Sequence, residues 1–126
     1  QVFDLPVFLG VPDAGIENIY LSNVRICNQG GVKPGGYIPG IEKVKESENG
    51  YPQPTVWGNL PCYGLFIRHV KDIEILNCTL KSEQPDPRPA IIADDVDNLV
   101  VNGLQTDKTS RRNVLIMNNV KKSRVK

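Results

Sequence analysis

Two neighbouring carboxylates, Asp94 and Asp95, are the residues of this chain best suited by type to acid–base chemistry. One member of such a pair can hold a proton while the other is ionised, which serves glycosidic bond hydrolysis. Their spacing argues against that role. Consecutive residues on a strand point to opposite faces, so the two side chains are expected to diverge. His69 is the single histidine and the other candidate proton carrier. Aligning the chain on itself puts Arg68, Asp94 and Asn118 in one column and His69, Asp95 and Asn119 in the next. These columns read as polar ladders at a corner of the fold, with His69 and Asp95 joined by an ion pair or hydrogen bond. No catalytic residue is assigned. Contact with substrate is the functional reading that stays open for Arg68, His69, Asp94 and Asp95.

Metal chemistry finds little support. One histidine and a thiol in an apolar column make no zinc site. Asp86, Asp94, Asp95 and Asp97 match no loop with calcium-ligand spacing, so neither metal nor cofactor is expected. Trp57 and Tyr63 offer aromatic faces on which a sugar ring could stack. The competing reading is packing over an apolar stripe, Phe66, Ile92 and Ile116, whose phase is opposite to the core. The candidate substrate-binding set is therefore Trp57, Tyr63, Arg68, His69, Asp94 and Asp95. Of the three cysteines, Cys27 and Cys62 bracket a Gly/Pro-rich stretch. They are either bridged or two of three separate thiols.

Side chains so placed need strands, and the sequence supplies them as a repeat. IENIYLSNVRI (16–26), VKDIEILNCTL (70–80) and VDNLVVNGLQT (96–106) align without gaps, and VKKSRV opens a fourth copy at Val120. Apolar residues recur at every second position, the signature of strands. Val70, Val96 and Val120 share a column, as do Leu65, Ile91 and Leu115. Spacings of 26 and 24 residues mark stacked repeats, each unable to bury its apolar face alone. Cys78 falls in the apolar column of Val24 and Leu104. Asn23, Asn77 and Gly103 fall where the chain must turn, and such residues tolerate a left-handed backbone. That role also accounts for Asn77 better than glycosylation at Asn77-Cys78-Thr79 does. An antiparallel sandwich would not explain columns of like residues.

The expected fold class is all-β, a right-handed parallel β-helix of about four coils in a single unit spanning 1–126. The coils lie around 7–26, 63–80, 89–106 and 113–126. A long inserted loop, 28–61, carries Trp57 and a possible helical turn or two over Ile41 to Glu48. A smaller loop runs from Ser82 to Arg88. Insertions of this kind emerge on one face, often the binding face.

The chain has 126 residues, 40% of them hydrophobic and 23% charged, with a net charge of +1. This is a globular composition. Lys and Arg cluster only at the end (Lys121, Lys122, Arg124, Lys126), which reads as a solvated terminus and argues against nucleic acid as a partner. No segment approaches the roughly 20 apolar residues of a membrane span. The chain opens on Gln1 without a basic, apolar leader, as expected of a piece of a longer protein.

The run YPQPTVWGNLPCYGLFIRHVKDIEILNCTL (51–80) resembles the late part of bacterial glycoside hydrolase family 28 proteins, the polygalacturonase-like enzymes. DPRPAIIADDVDNLVVNGL (86–104) and VFLGVPDAGIENIYLSNVRI (7–26) are similar to neighbouring coils of that family. The resemblance implies a right-handed parallel β-helix and hydrolysis of pectin-like, acidic polysaccharide with inversion. It also implies a periplasmic or secreted location and coils upstream of Gln1. The family's catalytic motifs are Asn-Thr-Asp, Asp-Asp, Gly-His-Gly and Arg-Ile-Lys. Neither Asn-Thr-Asp nor Gly-His-Gly occurs here, and Arg25-Ile26 is followed by Cys27. The expected function is the C-terminal scaffold of such a hydrolase, with the catalytic residues elsewhere. The alternative is a non-catalytic β-helix module that binds carbohydrate or assembles through its ends.

Overall fold

A computed structural model describes residues 7–9, 15–31, 38, 40–43, 61–106 and 114–126. Among them the chain forms eight strands: β1 (Val7–Leu9), β2 (Ile16–Ser22), β3 (Arg25–Gly30), β4 (Leu65–Leu76), β5 (Thr79–Gln84), β6 (Ile91–Asn102), β7 (Gln105–Thr106) and β8 (Leu115–Val125). A single 3₁₀ turn covers Ile41–Lys43, the start of the stretch expected to be helical; residues 44–48 lie outside the described residues. Two sheets result. One has the order β1-β4-β6-β8 with β2 also on β4, and the other is β3-β5-β7. Every strand pairing among the described residues is parallel.

The columns legible in the sequence are the registers of these sheets. Val70 pairs with Val96 and Val96 with Val120; Leu65, Ile91 and Leu115 do the same. Parallel stacking at about 4.8 Å per strand places like on like. The core between the two sheets contains Leu65, Ile67, Val70, Ile73, Ile75, Cys78 and Leu80, and their counterparts Ile91, Ala93, Val96, Leu99 and Val101. Cys78 is 2% exposed, the core thiol that its column implied.

Strict alternation fails at two positions in the long strands. His69 and Asp95 have φ of 55°, and Asn119 has 54°. Asn18, Asp72, Asn98 and Lys122 form a second left-handed column, with φ between 60° and 69° for the first three and 59° for Lys122. Across each left-handed residue the buried positions step by three (Ala93, Val96, Leu99), and beyond them by two (Leu99, Val101). The turn between the sheets is a third such column: Asn23 (58°), Asn77 (51°) and Gly103 (73°). There the ladder does not lapse. Asn23 N–H donates to Leu76 O, Asn77 N–H to Asn102 O, and Thr79 N–H to Val24 O, all at 2.8–2.9 Å. Asn and Asp accept left-handed φ more readily than other side-chain-bearing residues do, which explains why they fill these columns.

Two sequence-based boundaries are corrected. β3 extends through Asn28 to Gly30, where Asn28 pairs with Ser82 and Gly30 with Gln84. The insertion therefore begins after residue 30, not at 28. For the same reason the loop placed at Ser82 to Arg88 begins after Gln84. The ladder continues past the last residue of the aligned repeat because β3 and β5 are both long enough to keep pairing.

Candidate functional site

The polar columns expected at Arg68 and His69 exist and are closed by hydrogen bonds. Arg68 Nε–H donates to Asp94 Oδ2 at 2.7 Å, and Asn118 Nδ2–H donates to Asp94 Oδ1 at 2.8 Å. The Arg68 Nη2–H reaches the Ile41 carbonyl at 2.7 Å, tying the 3₁₀ turn to β4. Its guanidinium also lies 5.1 Å from the centre of the Phe66 ring, within cation–π range. Arg68 is 3% exposed. A buried guanidinium needs its charge met, and Asp94 meets it in a charge-assisted bond. As candidate substrate ligands, Arg68 and Asp94 are thus already engaged with each other.

In the next column, His69 Nδ1 and Asp95 Oδ2 are in hydrogen-bonding contact at 2.5 Å. The ionised carboxylate can only accept, so this pairing puts the proton on Nδ1. Asp95 is largely solvated, whereas the His69 side chain is mostly covered. A third pair, Asn98 Nδ2–H to Asp72 Oδ1 at 2.9 Å, joins two left-handed residues. Around His69 and Asp95 lies a shallow depression of about 210 Å³, also bordered by Gly15, Glu17, Lys71 and Asp97. Its charged border can hydrogen-bond hydroxyl groups. Among the described residues that border it there is no Trp, Tyr or Phe on which a sugar could stack.

Tyr63 does not supply that ring. It is 1% exposed and packed in the core, so the stacking role considered for it is corrected to packing. Its carbonyl accepts from Asn28 Nδ2–H at 2.6 Å. Trp57 lies outside the described residues. Phe66 and Ile92 are buried at 0% and 2%, whereas Ile116 is 36% exposed. The stripe is thus covered over the first two strands and open at the last.

One constellation escaped the sequence reading. Within Asp86-Pro87-Arg88, the Arg88 backbone N–H and Nε–H both donate to Asp86 Oδ1, and Nη2–H donates to Oδ2 at 2.7 Å. The Asp86 carboxylate is fully buried and held in a bidentate fork, which removes it from any calcium site. The Asp-x-Arg spacing was the available signal. Among the described residues no group of three or more His, Cys, Asp or Glu is placed to hold a metal, and no helix is long and apolar enough to cross a membrane.

Cys27, Cys62 and Cys78 are separate thiols. Burial pushes the Cys62 thiol from 9.0 up to about 12, with nearby Arg88 opposing the rise. Its Sγ–H points to the Leu65 carbonyl at 3.5 Å. The folded chain thus keeps the thiol proton that an unfolded chain releases near pH 9. This contribution to stability is fully present below pH 9.0 and is lost as pH rises towards 12. The wild-type chain should lose stability across that window more steeply than Cys62→Ala does, as read by urea unfolding at successive pH values. Parallel slopes would refute the assignment.

No family model, curated protein or solved structure matches the chain.

Proposed function

We propose that this chain is the C-terminal scaffold portion of a polygalacturonase-like glycoside hydrolase acting on pectic, acidic polysaccharide. Its parallel sheets are read as the stacked coils of a right-handed parallel β-helix. The observation that carries the reading is the shared register of β4, β6 and β8, with left-handed residues recurring in the same columns. Stacked coils accommodate that combination, and it goes with the resemblance of residues 51–80, 86–104 and 7–26 to family 28 enzymes. Upstream coils of the same parent protein would continue the ladder from the β1/β2 edge and carry the catalytic carboxylates. A periplasmic or secreted location goes with such a substrate.

The chain's own carboxylates favour a supporting role. An inverting glycosidase needs two carboxyl groups about 6.5–9.5 Å apart with water between them. Asp94 is committed to Arg68 and Asn118, and Asp95 to His69. The isolated chain is expected to release no reducing sugar from polygalacturonan or rhamnogalacturonan, while a chain extended upstream of Gln1 hydrolyses a pectic polymer. Turnover by the short chain that Asp94→Asn or Asp95→Asn abolishes would overturn the scaffold reading. The second reading is a non-catalytic carbohydrate-binding module. The hydroxyl-binding groups around the His69–Asp95 depression favour it, and an extended chain that binds pectic polymers without cleaving them would establish it.

A further inference from the structure

The turn between β6 and β7 differs chemically from the turns it stacks on. Its column reads Asn23, Asn77 and Gly103, and the residues just before these are Ser22, Leu76 and Asn102. Asparagine followed directly by glycine is prone to react with its own backbone, because no side chain screens the glycine nitrogen from the asparagine amide. Every other described asparagine is followed by a residue with a side chain, Ile19, Val24, Leu99 and Val120 among them. The fold keeps this reactive pair because position 103 needs glycine. Its φ is 73°, and a Cβ there would collide with Asn77 Oδ1.

Both reacting groups are accessible to water. Asn102 and Gly103 are exposed. β6 lies between β4 and β8, and Val101 beside Asn102 is buried, so Asn102 is an outward-facing residue inside the sheet. Its side chain makes no hydrogen bond among the described residues. Those of Asn28, Asn98 and Asn118 are committed to the Tyr63 carbonyl, Asp72 and Asp94. The Gly103 N–H donates to the Lys126 carbonyl at 3.3 Å, whereas Asn23 and Asn77 hold the equivalent bonds at 2.9 and 2.8 Å. That bond must open before the nitrogen can react, a local opening of the kind turns undergo more readily than core strands do.

We propose that Asn102 is a site of self-modification, converted by its own chain and water into aspartate and isoaspartate, and that isoaspartate there loosens β7. The Gly103 nitrogen bonds to Asn102 Cγ and the Cγ–Nδ2 bond breaks. The side-chain nitrogen leaves as ammonia, taking the proton of the Gly103 N–H, and a cyclic imide remains. Water then opens the imide at either carbonyl. Opening at Cγ gives aspartate. Opening at the main-chain carbonyl gives isoaspartate, whose backbone runs through Cβ and Cγ and is one atom longer. The former main-chain carbonyl becomes a free carboxylate. That carbonyl is the acceptor of the Asn77 N–H at 2.8 Å, and beyond the turn the Gln105 N–H must still reach the Cys78 carbonyl at 2.9 Å. The extra atom puts both ladder bonds out of step. The inference is independent of hydrolase activity.

The purified chain is incubated at mildly alkaline pH beside a urea-unfolded sample, and both are mapped by peptide mass spectrometry. In the folded chain Asn102 should be the first described asparagine to gain the mass of an amide-to-acid exchange. A protein-isoaspartate methyltransferase should label the same peptide. Asn102→Gln can close only a larger ring, which forms more slowly, and should lose the conversion at this position. The isoaspartate form, isolated by chromatography, should unfold at lower urea than Asn102→Asp, which carries the same charge on an ordinary backbone. Conversion of another described asparagine first would overturn the proposal. So would an Asn102 that is still an amide in the folded chain once the unfolded sample has lost its own, or an isoaspartate form as stable as Asn102→Asp.

Discussion

Replacing Asp94 with Ala is expected to destabilise the chain by about 3 kcal/mol or more, the scale for removing one partner of a buried ion pair. The cost arises from what remains. Arg68, 3% exposed, would lose the charge-assisted bond that it makes to Asp94 at 2.7 Å. Asn118 would lose its acceptor as well. The pair itself need not be worth that much. In the double variant Arg68→Met/Asp94→Ala both charges leave, and an apolar stem takes the place of the guanidinium on Phe66. That variant is expected to recover most of the loss, as buried pairs replaced by apolar groups commonly do. Urea unfolding of the two singles and the double gives the coupling directly. Additive losses, or an Asp94→Ala chain within about 0.5 kcal/mol of wild type, would mean that the pair is not buried as described.

The second large effect concerns the middle of the core. Leu99 is fully buried in β6, between Ile73 of β4 and Ser123 of β8. Truncation to Ala leaves a cavity whose walls are held by ladders on both sides, so a cost of about 2–5 kcal/mol is expected. Domains are commonly stable by only about 5–15 kcal/mol, and a loss of that size is a large part of the total. Val125→Ala, at a position 51% exposed, should cost less than about 0.5 kcal/mol. Unfolding midpoints of the two variants test the contrast. Equal effects at the two positions would show that the core is not centred on β4 and β6.

The sheets could be read from the sequence because their information is periodic. Val70, Val96 and Val120 are alike in type since parallel stacking gives them like surroundings, and Cys78 could be placed in the core from its column alone. The turn column of Asn23, Asn77 and Gly103 was legible for the same reason. The left-handed columns inside the long strands were harder to read. Alternation was carried straight through Asp94 and Asp95, whereas the φ of 55° at Asp95 shifts the phase there. The recurrence of Asn or Asp at 18, 72 and 98 was the sign of the second shift. Lys122 gave no such sign, because lysine does not favour that conformation as Asn, Asp and His do. Of the candidate site, the His69–Asp95 pairing followed from column adjacency, and Arg68 and Asp94 were placed in one polar column without their ion pair being read. The burial of Tyr63 matched the packing reading that stood beside stacking, whereas the Asp86–Arg88 fork was not read, since it depends on chain between the repeats.

The registers have a consequence for how much the chain can change in length. Ile16 and Val70 are ladder neighbours although more than twice as far apart in sequence as Val70 and Val96, and Val96 and Val120 keep the same register over a shorter span. The ladder thus fixes where the strands meet and leaves the connecting length open. Closing a flexible connection costs only about 0.6 kcal/mol more for each doubling of its length. A foreign segment grafted after β5 or β7 should therefore be carried at small thermodynamic cost. One residue added between His69 and Asp72 would instead throw two left-handed columns out of step with every strand they stack on.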